Sequence, residues 1–149
     1  MSHISKQTVK GFEKVHPAVL AEGIKVAAQL MQLQGLQITS HIFDWGGNKV
    51  TQFDGMQVIC GIDAQGSASS HKFAGMGLAI DKAGKLAIVG DFYYDEQKVR
   101  RNQLQKQLEQ VLGGSCYFAA RAIIARAKGQ KCSVTVNNDT RQLQLTVAM

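Results

Sequence analysis

Two apolar runs of strand length, KFAGMGLAI (72–80) and KLAIVGDFYY (85–94), stand either side of the turn segment DKAGK (81–85). Gly84 is free to take a positive φ there, so the two runs are predicted to close as a hairpin. The middle of the chain is thereby committed to a sheet. The period then changes within GDFYYDEQKVRR (90–101). Leu104, Leu108, Val111 and Leu112 form one stripe of a helix whose other faces are Gln, Lys and Arg. Gly113-Gly114 is expected to break or kink this helix. Ser115 would cap a continuation through Lys128, and Gly129 would end it.

Upstream, HPAVLAEGIKVAAQLMQLQG (16–35) predicts a helix over 17–34. Pro17 suits the first helical position, Leu20, Ile24, Ala27 and Met31 recur at helical spacing, and Gly35 is placed to end it. TVKGF (8–12) reads as a short edge strand. QITSHIF (37–43) alternates as one half-buried strand, DWGGN as a turn, and KVTQF with MQVICGI as a hairpin around Asp54-Gly55. DAQGSASSH (63–71) is a polar loop and the expected mobile region. At the C-terminus, Val134 and Val136 alternate before the NNDT turn and Leu143, Leu145 and Val147 after it, which is a second hairpin. Together these imply an α+β fold, a mostly antiparallel sheet with two main helices packed on one face, in a single domain spanning 1–149.

The charge is unevenly distributed. Residues 98–131 hold Lys98, Arg100, Arg101, Lys106, Arg121, Arg126, Lys128 and Lys131 against one carboxylate, Glu109, and so carry more than the chain's whole net charge of +6. Residues 1–97 are close to balanced, and Arg141 offsets Asp139 in the tail. No apolar stretch approaches the roughly 18 residues of a membrane span, and the N-terminus lacks the apolar core of a secretory signal. Cys60, Cys116 and Cys132 are odd in number and widely spaced, which favours buried thiols in a reducing, cytoplasmic setting over disulfides. No CxxC or HxxxH spacing occurs, so neither a structural metal nor a cofactor is expected.

Short glycine motifs at 75–77 and 113–115 lack the strand, lysine and helix context of a phosphate-binding loop, and Gly75 and Gly77 read as close packing or a bulge. His41 and His71 neighbour serines but define no catalytic triad, which is a matter of geometry. Cys116 at a helix start would have a depressed thiol pKa, although a small buried residue is the plainer reading. Asp91 is assigned a structural role, pairing with Arg100 or Arg101 or accepting backbone hydrogen bonds where the sheet ends.

The start MSHIS, the helix entry FEKVHPAVLAEGI, the hairpin end IVGDFYY, Tyr117 in the second helix and the strand pair after AKGQKCSV follow one another in a distinctive order. In these features the chain resembles the hypothetical chloroplast open-reading-frame thirty-five family, uncharacterised proteins of algal plastids, cyanobacteria, other bacteria and some phages. The resemblance implies a shared fold and no established enzymatic activity.

The functional expectation is a non-enzymatic binding or accessory protein. Its working surface would be the basic helix, with Lys98, Arg100, Arg101, Lys106, Arg121, Lys128 and Lys131 holding phosphates and Tyr117 stacking a base of a nucleic acid. An adaptor or assembly subunit meeting an acidic protein is the alternative, and a small enzyme assembled from distant residues is a third. A homo-oligomer is compatible with each.

Overall fold

The computed structural model describes residues 4–33, 38–44, 48–62, 76–92 and 95–148. Along them run β1 (Ser5–Val9), α1 (Pro17–Leu33), β2 (Ile38–Thr39), β3 (Ile42–Phe43), β4 (Lys49–Val50), β5 (Gln52–Phe53), β6 (Met56–Ile62), β7 (Met76–Asp81), β8 (Leu86–Gly90), α2 (Asp95–Ala127), β9 (Lys131–Val136) and β10 (Leu143–Ala148). The main sheet has six strands in the order β1-β8-β7-β6-β2, with β5 also on β6, and every pairing is antiparallel. The fold is α+β. The loop expected at 63–71, Gly75, the cap at Gly35 and the turn centre at 45–47 lie outside the described residues.

Why these central strands read as continuous apolar runs is clear from their surroundings. Leu86 and Ile88 of β8, with Leu78 and Ile80 of β7, face Leu20, Ile24, Ala27 and Met31 of α1 and Leu104, Leu108 and Leu112 of α2. The intervening Ala79, Ala87 and Val89 face a second cluster with Ile42, Met56 and Val58. Both faces are covered, so alternation between apolar and polar residues is lost. The two helices pack on one face, as expected, and β3 with β4 lies over the other.

The β7–β8 turn forms as its residues demand. Asp81 Oδ1 accepts from the Ala83 and Lys85 amides at 2.9 and 2.8 Å, and Gly84 has φ 83°. Asp54 and Gly55 take φ 51° and 76° between β5 and β6, the left-handed pair a two-residue hairpin needs. His16 Nδ1 accepts from the Ala18 amide at 3.1 Å, so an imidazole caps α1 just ahead of Pro17.

Three expectations are corrected. The edge strand lies at Ser5–Val9, upstream of 8–12, because pairing runs from Ser5↔Gly90 to Val9↔Leu86 and Gly11, at φ 100°, turns the chain away. Within the stretch 37–43 the described residues 38–43 form two strands in different sheets, β2 on β6 and β3 on β4, and KVTQF divides in the same way, with β4 on β3 and only β5 on β6. The break occurs where the His41 carbonyl accepts from Thr39 Oγ1 at 2.7 Å and presses onto Gly61, where a Cβ would stand 1.8 Å from that oxygen. Beyond it Ile42 reaches Gly77, whose missing side chain leaves the room, so Gly77 is indeed a close-packing glycine.

The third correction concerns α2, which runs unbroken through Gly113-Gly114 for 33 residues, about 50 Å. Two interior glycines cost about 1 kcal/mol each relative to alanine. Against that stand Leu104, Leu108 and Leu112 before them and Cys116, Ala119 and Ala122 after them, all buried. Each leucine alone contributes about 1.5–3 kcal/mol, so packing outweighs propensity. Ser115 is therefore no cap, and its hydroxyl donates back to the Val111 carbonyl at 2.8 Å. The helix ends as expected at Gly129 (φ 85°), whose amide donates to the Arg126 carbonyl while the Gln130 amide donates to that of Ala125.

Candidate nucleic-acid interface

The period of α2 sorts its side chains before any function is considered. Gln97, Leu104, Leu108, Leu112, Ser115, Cys116, Ala119 and Ala122 are buried, whereas Val99, Lys106, Gly113, Tyr117, Arg121, Ile124 and Lys128 are exposed. At 3.6 residues per turn these are two opposite sides of one cylinder.

The expected cations do not form a single patch. Lys98 lies 3.9 Å from Asp95, one turn back on the same helix. Arg101 is half-buried, with its guanidinium 5.0 Å from the centre of the Phe92 ring. It is held at the seam where β8 gives way to α2. Arg126 is tied to Glu22 of α1 in an ion pair. Arg100 is half-buried and partnered. Lys131 opens β9 and lines a cleft of about 430 Å³ together with Arg126, Gly129 and Ser133.

Lys106, Arg121 and Lys128 do share the outward face, and Tyr117 stands among them. Tyr117 is 60 % exposed, one of the large hydrophobic residues left open at the surface. The Arg121 guanidinium sits 5.8 Å from the centre of the Tyr117 ring and Nη1 donates to the Tyr117 hydroxyl at 3.5 Å. One turn separates them, so the helix itself sets this contact. The Tyr117 ring also meets Phe118 edge-on at 5.9 Å. No carboxylate occurs between Glu109 and Asp139, so the second half of this face is uniformly cationic.

The remaining candidates fall elsewhere. Asp91 is buried and partnered at the end of β8, beside Phe92, which joins the helix-side core. His41 Nδ1 is 3.3 Å from the Ser40 hydroxyl and its ring meets Phe43 edge-on. His71 lies outside the described residues. Cys116 is inside α2, not at its start, and burial pushes its thiol up to about 11. Burial likewise raises Cys60, to about 12. Among the described residues no group of His, Cys, Asp or Glu is arranged to hold a metal ion. No described helix is long and apolar enough to cross a membrane.

Sequence reasoning missed Gly23. A Cβ there would lie 2.6 Å from Cys116 Sγ, so α1 and α2 cross in contact at this point. The available signal was the run of small residues Ser115, Cys116, Ala119 and Ala122 on one side of α2. Comparison of the chain with protein-family models, curated proteins and solved structures finds no match.

Proposed function

We propose that the protein is a non-enzymatic binding protein that contacts nucleic acid through the outward face of α2. The observation that carries this reading is the exposed Tyr117 ring with the Arg121 guanidinium against it. An aromatic face offers a surface on which any base can stack, and neighbouring cations hold the backbone. Lys106 and Lys128 extend the cationic line in both directions along the unbroken helix. Of the seven cations expected to hold phosphates, Lys98 pairs with Asp95, Arg101 lies against Phe92, Arg100 is partnered and Lys131 belongs to β9, which leaves about three contacts, from Lys106, Arg121 and Lys128.

The test is fluorescence anisotropy with labelled single-stranded and duplex oligonucleotides of random sequence over a salt series. Binding at low salt should weaken with a log–log slope of roughly −2 to −3, as about three displaced counterions require. Absence of binding at low salt overturns the reading.

An acidic protein partner is the second reading. It is favoured by Val99 and Ile124, 55 % and 56 % exposed on the same face as the cations. Apolar groups of this size serve a protein interface better than a phosphate backbone.

A further inference from the structure

The β9–β10 ribbon is separate from the main sheet, and among the described residues the outer edge of β10 pairs with no strand. Which backbone groups that edge presents follows from its turn. The Asn137 amide donates to the Gln142 carbonyl at 2.9 Å and the Asn137 carbonyl accepts from the Arg141 amide at 2.8 Å, so the groups of 137 and 142 point toward each other across the ribbon. Alternation along the ladder then turns the groups of Gln144 and Thr146 toward β9 and those of Leu143, Leu145 and Val147 outward. The same three residues put their side chains on one face, opposite Val136, Val134 and Cys132. That face is incompletely covered: Leu143 and Leu145 are half-buried and Val147 is 48 % exposed.

Open edges are ordinarily guarded by charges, proline or a bulge. The β10 segment LQLTVA has none of these, and its register against β9 is regular throughout. Among the other outer strands, β1 carries Lys6 and β9 carries Lys131.

We infer that this edge is a self-association surface, on which β10 pairs antiparallel with β10 of a second copy. The segment is self-complementary in the required sense. A two-fold axis at Leu145 sets Leu145 against its own counterpart and Leu143 against Val147 in both directions. All the outward amides and carbonyls are then satisfied in roughly six hydrogen bonds, and the apolar stripe continues across four strands. Charge does not bar a copy of this chain despite its net +6. β10 itself is neutral, and the register leaves the two Arg141 side chains at opposite ends, about 25 Å apart, well beyond the screening length of about 8 Å. A six-residue strand pair buries far less than the roughly 800 Å² per partner of a stable interface. The dimer is therefore a weak one, forming between micromolar and millimolar protein.

Sedimentation velocity from low-micromolar to millimolar protein tests this. Wild type should pass from monomer to dimer over that range. Gln144→Lys combined with Thr146→Lys alters two exposed side chains that face each other across the two-fold axis, and should raise the dissociation constant about tenfold. Thermal melts of the variant establish that the monomer still folds. Mixing it with the Gln144→Glu, Thr146→Glu variant should restore a dimer, now mixed, and a melt lost in both variants leaves the wild-type series as the deciding measurement. Wild type monomeric at millimolar concentration, or a dimer unaffected by a folded lysine variant, overturns the inference.

Discussion

Gly23 of α1 and Cys116 of α2 are in direct contact, with no room for a side chain on the glycine. The first Cβ atom would meet Cys116 Sγ at 2.6 Å, its Cα at 3.1 Å and its backbone nitrogen at 3.2 Å. Gly23→Ala should therefore destabilise the protein by about 1–3 kcal/mol, the usual cost of overpacking, even though alanine is the better helix former. Cys116→Ala removes only the sulfur, so it should recover part of the loss. Denaturant melts of the two single variants and the double variant give the coupling. A neutral or stabilising Gly23→Ala would mean that the helices are further apart.

Gly113 and Gly114 present the opposite case. Both are exposed, and a Cβ on either would meet nothing within 4 Å. Gly113→Ala and Gly114→Ala should each stabilise by about 0.5–1 kcal/mol, raising Tm by roughly 2–4 °C per kcal/mol in a chain of this size. A loss of stability would indicate that the helix is interrupted here after all.

The thiols set the alkaline limit. Burial holds Cys116 at about 11 and Cys60 at about 12, above the ordinary value of 9.0. An unfolded chain releases these protons near pH 9 and the folded chain retains them. Stability from this source is complete below pH 9 and is lost as pH rises toward 11 and 12. Melts across that window should show the decline, and it should shrink in Cys60→Ala. At pH 8, labelling of Cys60 and Cys116 by iodoacetamide should track unfolding; rapid labelling of native protein would contradict their burial.

Substitutions on the outward face of α2 separate binding from folding. Arg121→Ala and Lys128→Ala should each reduce the salt slope by about one contact and weaken binding evenly across sequences. Tyr117→Leu should cost about 1–3 kcal/mol for single strands and little for duplex. Because all three side chains are exposed, melting temperatures should hardly change. A large drop in Tm for Tyr117→Leu would reveal a packing role instead.

How much of this was legible in the sequence depended on whether a signal was local. Pro17, Asp54-Gly55, Gly84 and Gly129 each act within a few residues, and each does what its chemistry indicates. The same holds for the leucine stripe of α2, since periodicity alone identifies a buried side. The exposure of Tyr117 was readable for that reason too. What escaped depended on distant partners. The split at Ser40-His41 follows from Gly61 and Gly77, which admit the His41 carbonyl and Ile42. The position of β1 is dictated by β8, and the survival of α2 through two glycines by the core that its leucines join. Nor does charge count reveal that Arg126 is bound to Glu22, or Arg101 to Phe92.

The pairing of β1 with β8 also has a consequence in time. Ser5 meets Gly90, closing a loop of roughly 80 residues. β1 therefore has no partner until β8, which lies about 80 residues further along the chain, is in place. The β5–β6 and β7–β8 turns and the β9–β10 ribbon need only their own neighbourhoods. β1 must instead search for an edge that appears late, after β8 has been laid against β7. Long-range pairing of this kind is the slow part of folding expected from topology, so the β1–β8 encounter, more than either helix, is expected to pace this fold.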